Sequence, residues 1–305
     1  MTRPPPASLF SEVIPPGEQD PEYIAIRDRA HWKALREDLE SLWERFRPLA
    51  DSHFVDQFQR RGSFQARVWE MRVGCALLAA GHQVSSEDIG PDFSLFAPPI
   101  RVEAIAPSES MQMALKAMRS APEFVDMPDD DIILRLTGAI AEKHRKFSDY
   151  KVAGRIAPTD GLVVAVSGSR FGPGLLDPKL PLLLFSLFGL GNLVATFTPG
   201  GGEPSVEFEP SLTRRKPTTG ATIDNFLFRS FEHDQCAEPP SEISGILFSD
   251  SNFRVGSARF DDFVFIHNPV ANVPVSEGFL PFGVEYARRG DAIGVVGDHR
   301  SRGAA

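Results

Sequence analysis

The sequence predicts an α/β fold: a mixed sheet flanked by helices and extended by further strands from the carboxy-terminal third. Three observations carry this. The run V-W-E-M-R-V-G-C-A-L-L-A-A within residues 64–80 is apolar nearly all round and stops at Gly81, as a central helix would. Residues 161–167, GLVVAVS, form a β-branched run without polar alternation, the pattern of a strand covered on both faces. Between them lie three short extended segments and a second helical one, so the order is helix, three strands, helix, strand.

Taken in order, residues 31–46 place Leu35, Leu39 and Leu42 or Trp43 at helical spacing with acids and bases between them, an outer amphipathic helix. The 64–80 helix follows Gly62-Ser63, with Ser63 as its expected N-cap. Strands are expected over 83–86, 93–96 and 101–106, the last two joined as a hairpin by the Ala97-Pro98-Pro99 corner. After a variable stretch over 107–131, residues 132–147 read as a helix, with Asp129, Asp130 and Asp131 suited to the positive end of its dipole. Beyond Ser169, strands are expected over 205–209, 243–249 and 263–267. Gly200-Gly201-Gly202 and Pro239-Pro240 read as loops within one domain.

The chain has 305 residues, 42% of them apolar, enough for a sizeable core. Its formal charge of −9 argues against a protein that coats nucleic acid, because such binding neutralises many phosphates with Lys and Arg. Any nucleic-acid contact has to be local. Two cysteines, Cys75 and Cys236, are too few for a disulfide framework and fit a reducing compartment. The proline-rich start has no signal-peptide core, so residues 1–22 are expected as a loosely ordered tail and the location as cytoplasmic. Residues 180–197, LPLLLFSLFGLGNLVATF, approach membrane-span length without a charge. Gly189, Gly191 and Asn192 interrupt them, and a buried helix over 182–190 turning into a strand over 193–197 explains them better, so no membrane partner is expected. The domain reading is a single α/β domain over 23–298, with residues 299–305 frayed.

Three acids stand out. Glu70 lies inside the most apolar helix, where a carboxylate needs a partner; Arg67 or an arginine from another element would serve. If the hairpin is centred between Ala97 and Pro98, Asp92 stands opposite Glu103. Opposed residues share a face, with Cβ atoms roughly 4.5–5.5 Å apart. Two such carboxylates can share one hard cation, and magnesium or manganese is the expected metal, since magnesium takes oxygen ligands, keeps waters and is held by one or two carboxylates plus phosphate. Metal-bound water would then attack a phosphodiester. The alternative is ion pairing, Glu103 with Arg101 or another base.

Glu70 on a helix, then Pro91-Asp92-Phe93, then Val102-Glu103-Ala104 on a strand, followed by a Lys-bearing helix, resembles the PD-(D/E)XK nuclease superfamily, the restriction-endonuclease-like fold. The resemblance spans residues 64–168, which it makes a nuclease-like core. It implies Asp92 and Glu103 as metal ligands, Glu70 as a supporting acid, and magnesium-dependent hydrolysis of DNA or RNA. The family's lysine, two residues after the strand acid, falls on Ile105, which can neither orient water nor stabilise an anion. The resemblance allows that cation to come from the following helix, as Lys143 or Lys146, which share a helix face. Otherwise these lysines are a solvated basic helix end, and the fold is a non-catalytic module whose partner is protein or nucleic acid. A third reading makes the acids salt-bridge partners of Arg67, Arg101 or Arg135 in an unrelated fold.

Arg214, Arg215 and Lys216 form the best basic cluster outside that helix and are the further candidates, with Lys146, for phosphate contact. His267, before Asn268-Pro269, reads as a strand ending in a turn rather than as a catalytic group. The histidines lack zinc-site spacing, Gly200-Gly201-Gly202 lacks the Lys and Ser/Thr of a phosphate loop, and Ser167-Gly168-Ser169 departs from a serine-hydrolase elbow. Nothing in the sequence marks a dimer face.

Overall fold

The structure is a computed structural model that describes residues 5–11, 13–87, 89–107, 129–171, 182–196, 205–211, 213–215, 220–224, 228, 241–250, 260–290 and 292–299. The helices are α1 (Pro21–Asp28), α2 (Lys33–Phe46), α3 (Phe54–Gln59), α4 (Phe64–Ala79), α5 (Asp129–Val152) and α6 (Leu182–Phe188). The strands are β1 (Val84–Ser85), β2 (Phe93–Phe96), β3 (Pro99–Ile105), β4 (Gly161–Ser167), β5 (Leu190–Thr196), β6 (Ser205–Pro210), β7 (Thr213–Arg215), β8 (Thr222–Asp224), β9 (Ile243–Ser249), β10 (Val264–His267), β11 (Val284–Arg289) and β12 (Ala292–Asp298).

Where the sequence reading draws one domain over 23–298, the chain divides into two compact units. The first comprises Met1–Pro107, Lys143–Pro173 and Ser241–Ala305; the second, Ser108–Glu142 and Gly174–Pro240. The second is thus made of two excursions from the first, which composition does not betray because neither excursion is flanked by a linker-like stretch.

The first unit carries a mixed sheet of eight strands in the order β1-β2-β3-β4-β9-β10-β11-β12. β3, β4 and β9 run parallel at its centre, and β1-β2-β3 form an antiparallel meander on one side. The hairpin register is Phe93↔Val102 through Phe96↔Pro99, so its centre falls between Ala97 and Pro98, as the sequence reading places it. Ala97-Pro98 is a cis peptide.

Helices α2, α3 and α4 cover one face. α4 packs on α2, α3 and β3, and its buried residues run all round it. Its apolar side chains meet Phe93, Leu95, Ile100, Val102, Val163, Ala165 and Leu247 in one core with Trp43, Phe46, Phe54 and Phe58. Burying each such side chain is worth about 1.5–3 kcal/mol. The Trp69 indole donates to Ala165 O at 2.9 Å, tying α4 to β4. Gly81, with φ +83°, ends α4 as expected, but Ser63 makes no side-chain cap bond. The amphipathic helix begins at Lys33, after a 3-10 turn over Ala30–Trp32.

The amino-terminal segment is not the loose tail expected of it. Leu9 is fully buried, the Trp43 indole donates to Pro6 O at 3.1 Å, and the Gln59 amide donates to Leu9 O at 3.0 Å. Leu9 and the backbone carbonyls of Pro6 and Leu9 anchor it, whereas Pro15, Pro16 and Glu18 stay at the surface.

In the second unit, α6 leads into β5, which pairs with β6, and β7 pairs with β8. The uncharged stretch is thus a short helix and strand. Among the described residues no helix is long and apolar enough to cross a membrane.

Candidate active site

β3 alternates between the two faces of the sheet. Ile100 and Val102 enter the core shared with α4, so Arg101 and Glu103 turn to the opposite face, towards the part of α5 that begins at Lys143. That part of α5 is held from two sides. Glu242, just before β9, accepts from Lys151 at 2.8 Å and pairs with His144 at 3.1 Å. Tyr150 donates its hydroxyl to Gly90 O at 2.7 Å, next to the turn that leads into Asp92.

The Asp92 carboxylate accepts the Ala104 amide at 2.7 Å. In the hairpin register residue 104 faces residue 91, beyond the start of β2, so the side chain supplies an acceptor where the ladder has ended. Lys143 Nζ donates to Glu103 Oε2 at 2.7 Å and lies 3.8 Å from Asp92 Oδ2. Lys146 Nζ donates to the same Glu103 oxygen at 3.0 Å. Asp92 and Glu103 therefore stand on one face, and both lysines three apart on α5 reach them.

Exposure grades the four groups: Glu103 is 0% exposed, Lys143 12%, Asp92 23% and Lys146 41%. Among the described residues the second Glu103 oxygen, Oε1, is buried without a hydrogen-bond partner. Burial, with Asp92 adding to it, raises the Glu103 pKa above the ordinary carboxylate range against the pull of Lys143 and Lys146. For Lys146, burial alone would lower the pKa, but Tyr150, Glu103 and Asp92 outweigh it and raise it.

Glu70 accepts from Arg67 Nη1 at 2.6 Å, the ion pair that its place in an apolar helix calls for. Arg67 is also held by Gln57 and stands 3.7 Å from Asp51. Burial dominates at Glu70 and moves its pKa to about 8; Arg67 opposes the shift, Asp92 and Asp51 add to it, and Lys143 opposes it. Asp92 and Lys143 thus act on the acid of α4 as well as on Glu103.

Arg101 does not pair with Glu103. It faces Asp160, donating from Nε at 2.7 Å, and Asp160 also accepts the Ala157 amide. Arg214 and Arg215 lie on β7 in the second unit, where Arg215 Nε donates to Gly220 O at 3.1 Å; Lys216 lies outside the described residues. His267 ends β10 and pairs at 3.1 Å with buried Glu285, which also accepts the Gly278 and Leu280 amides. That is a loop clamp. Two supports of the site, Tyr150 and Glu242, have no local sequence signal, because each meets its partner across a long chain separation.

Among the described residues no group of three or more His, Cys, Asp or Glu side chains is close enough to hold a metal. Asp92 and Glu103 nevertheless fit a hard cation that needs only one or two carboxylates, and the unpartnered Glu103 Oε1 is an oxygen donor left for one. Comparison with family models, with curated proteins and with solved structures returns no match.

Proposed function

We propose that this chain is a magnesium- or manganese-dependent phosphodiesterase of restriction-endonuclease-like fold, hydrolysing DNA or RNA. The observation that carries the reading is Lys143: its ammonium, from the helix after the strand acid, lies 2.7 Å from Glu103 and 3.8 Å from Asp92. It supplies the cation that Ile105 lacks. The β1-β2-β3 meander followed by a helix and by β4 parallel to β3 supports the fold assignment.

Asp92 and Glu103 would hold the metal. Such an ion, when bound, acidifies water and steadies the charge developing on phosphate. Lys143 Nζ, the less exposed amine, would hold the attacking water by donating a hydrogen bond to it. Lys146, more exposed, would meet a phosphate oxygen. Glu70 supports the cluster from α4 and keeps Arg67 directed at itself.

The test is incubation with mixed DNA and RNA substrates and magnesium or manganese. Cleavage by the wild type that falls at least about a hundredfold in Glu103→Gln and in Lys143→Met is the expected result. Cleavage that survives Glu103→Gln would sink the assignment. A second reading, a non-catalytic module that binds protein or nucleic acid, is favoured by one observation: two ammonium groups already neutralise the two carboxylates. It predicts no metal-dependent cleavage and no metal uptake.

A further inference from the structure

We infer that Lys143 is an internal competitor for the metal: in the free protein its ammonium fills the cation position between Asp92 and Glu103, and a divalent ion enters only as that ammonium gives way. This deepens the phosphodiesterase reading and rests on it.

An ion shared by the two carboxylates has to sit between them. That is where Lys143 Nζ lies, 2.7 Å from Glu103 Oε2 and 3.8 Å from Asp92 Oδ2, and it is mostly buried. The remaining acceptors are unevenly taken. Asp92 Oδ2 is engaged by the Ala104 amide and Glu103 Oε2 by both lysines, while Glu103 Oε1 has no hydrogen-bond partner among the described residues. Oε1 is closed off from solvent, so an ion engages this carboxylate only as the Lys143 ammonium moves aside.

Charge points the same way. The carboxylates of Asp92 and Glu103 balance the ammonium groups of Lys143 and Lys146, so the cluster is neutral as it stands. A divalent ion added to it leaves two positive charges in excess beside a fully buried carboxylate, at a separation where like charges repel strongly. Lys146 can withdraw to solvent at small cost because it is already half-exposed. Lys143, with little solvent around it, is the amine whose position decides the affinity.

The experiment is calorimetric titration of the full chain with manganese alone, comparing wild type, Lys143→Met, Lys143→Arg and Glu103→Gln. Lys143→Met is expected to bind manganese at least about tenfold more tightly than wild type, and Lys143→Arg, which keeps the charge, about as weakly as wild type. Manganese that binds the wild type but binds Lys143→Met no more tightly overturns the competition and leaves the metal site standing. Failure of both wild type and Lys143→Met to bind removes the metal reading itself. Should Lys143→Met not fold, Lys143→Gln makes the same comparison. Thermal unfolding supplies a second readout: manganese raises the melting temperature of the neutral variant more than that of the wild type.

Discussion

Asp92 does two things with one carboxylate: it completes the β2–β3 ladder through the Ala104 amide, and it faces Lys143. Glu70 is its electrostatic neighbour on α4, and its pKa near 8 makes a stability prediction. A carboxyl whose folded pKa lies above its unfolded value binds its proton more tightly when folded. Its contribution is fully present below the unfolded pKa, near 4.5, and is lost as pH rises through the folded value, about 8. Urea unfolding of wild type and Glu70→Gln across this window should show the wild type losing stability relative to the variant as pH rises; a difference independent of pH would refute it. At this scale the sequence was partly legible. The shared face of Asp92 and Glu103 follows from a symmetric hairpin, and the Arg67 pair follows from a carboxylate in an apolar helix. That Lys143 and Lys146 would choose one oxygen of Glu103, and that Arg101 would turn to Asp160 instead, depends on how helix α5 is set against β3, which no local pattern encodes.

Helices α2 and α4 approach closely at Gly74. A Cβ there would lie 2.6 Å from Phe46 Cε2 and 3.1 Å from Phe93 Cε1. Alanine at position 74 gains helix propensity, about 1 kcal/mol, but overpacking in a dense core costs about 1–3 kcal/mol. Gly74→Ala should therefore be no more stable than wild type in thermal unfolding, and a clear gain would mean that the helices part easily. Long, strongly patterned elements are the ones the sequence announces: α4, β4 and β9 differ by at most a residue from their expected bounds. The elements it hides are α1, α3, β7, β8, β11 and β12. α3 has six residues, too few for helical periodicity to show. β12 is glycine-containing and largely exposed, and earns its place by pairing with β11 rather than by any apolar run of its own.

Over the whole molecule the formal charge is −9, while the amines of the candidate site gather on one helix face. Association with nucleic acid should then rest on few phosphate contacts. Each neutralised phosphate contributes about −0.9 to the slope of log affinity against log salt, so anisotropy titrations with a labelled duplex should give a slope of roughly −2 to −4. A slope near −8 would instead indicate a broad basic surface. Division into two interleaved units is the part of the architecture that stays invisible in the chain, because hydrophobic patterns report which residues are buried and not which excursion returns to which sheet. That interleaving has a consequence in time. The strands β1 to β4, and with them Asp92, Glu103 and Lys143, leave the ribosome long before β9, although β9 lies between β4 and β10 in the finished sheet. Until Ile243–Ser249 emerges, β4, buried along its whole length in the finished fold, has one side without its partner. A nascent chain therefore carries an unpaired apolar strand edge at the centre of its own sheet for as long as the excursion over Gly174–Pro240 is being made, the kind of edge that invites pairing with other chains.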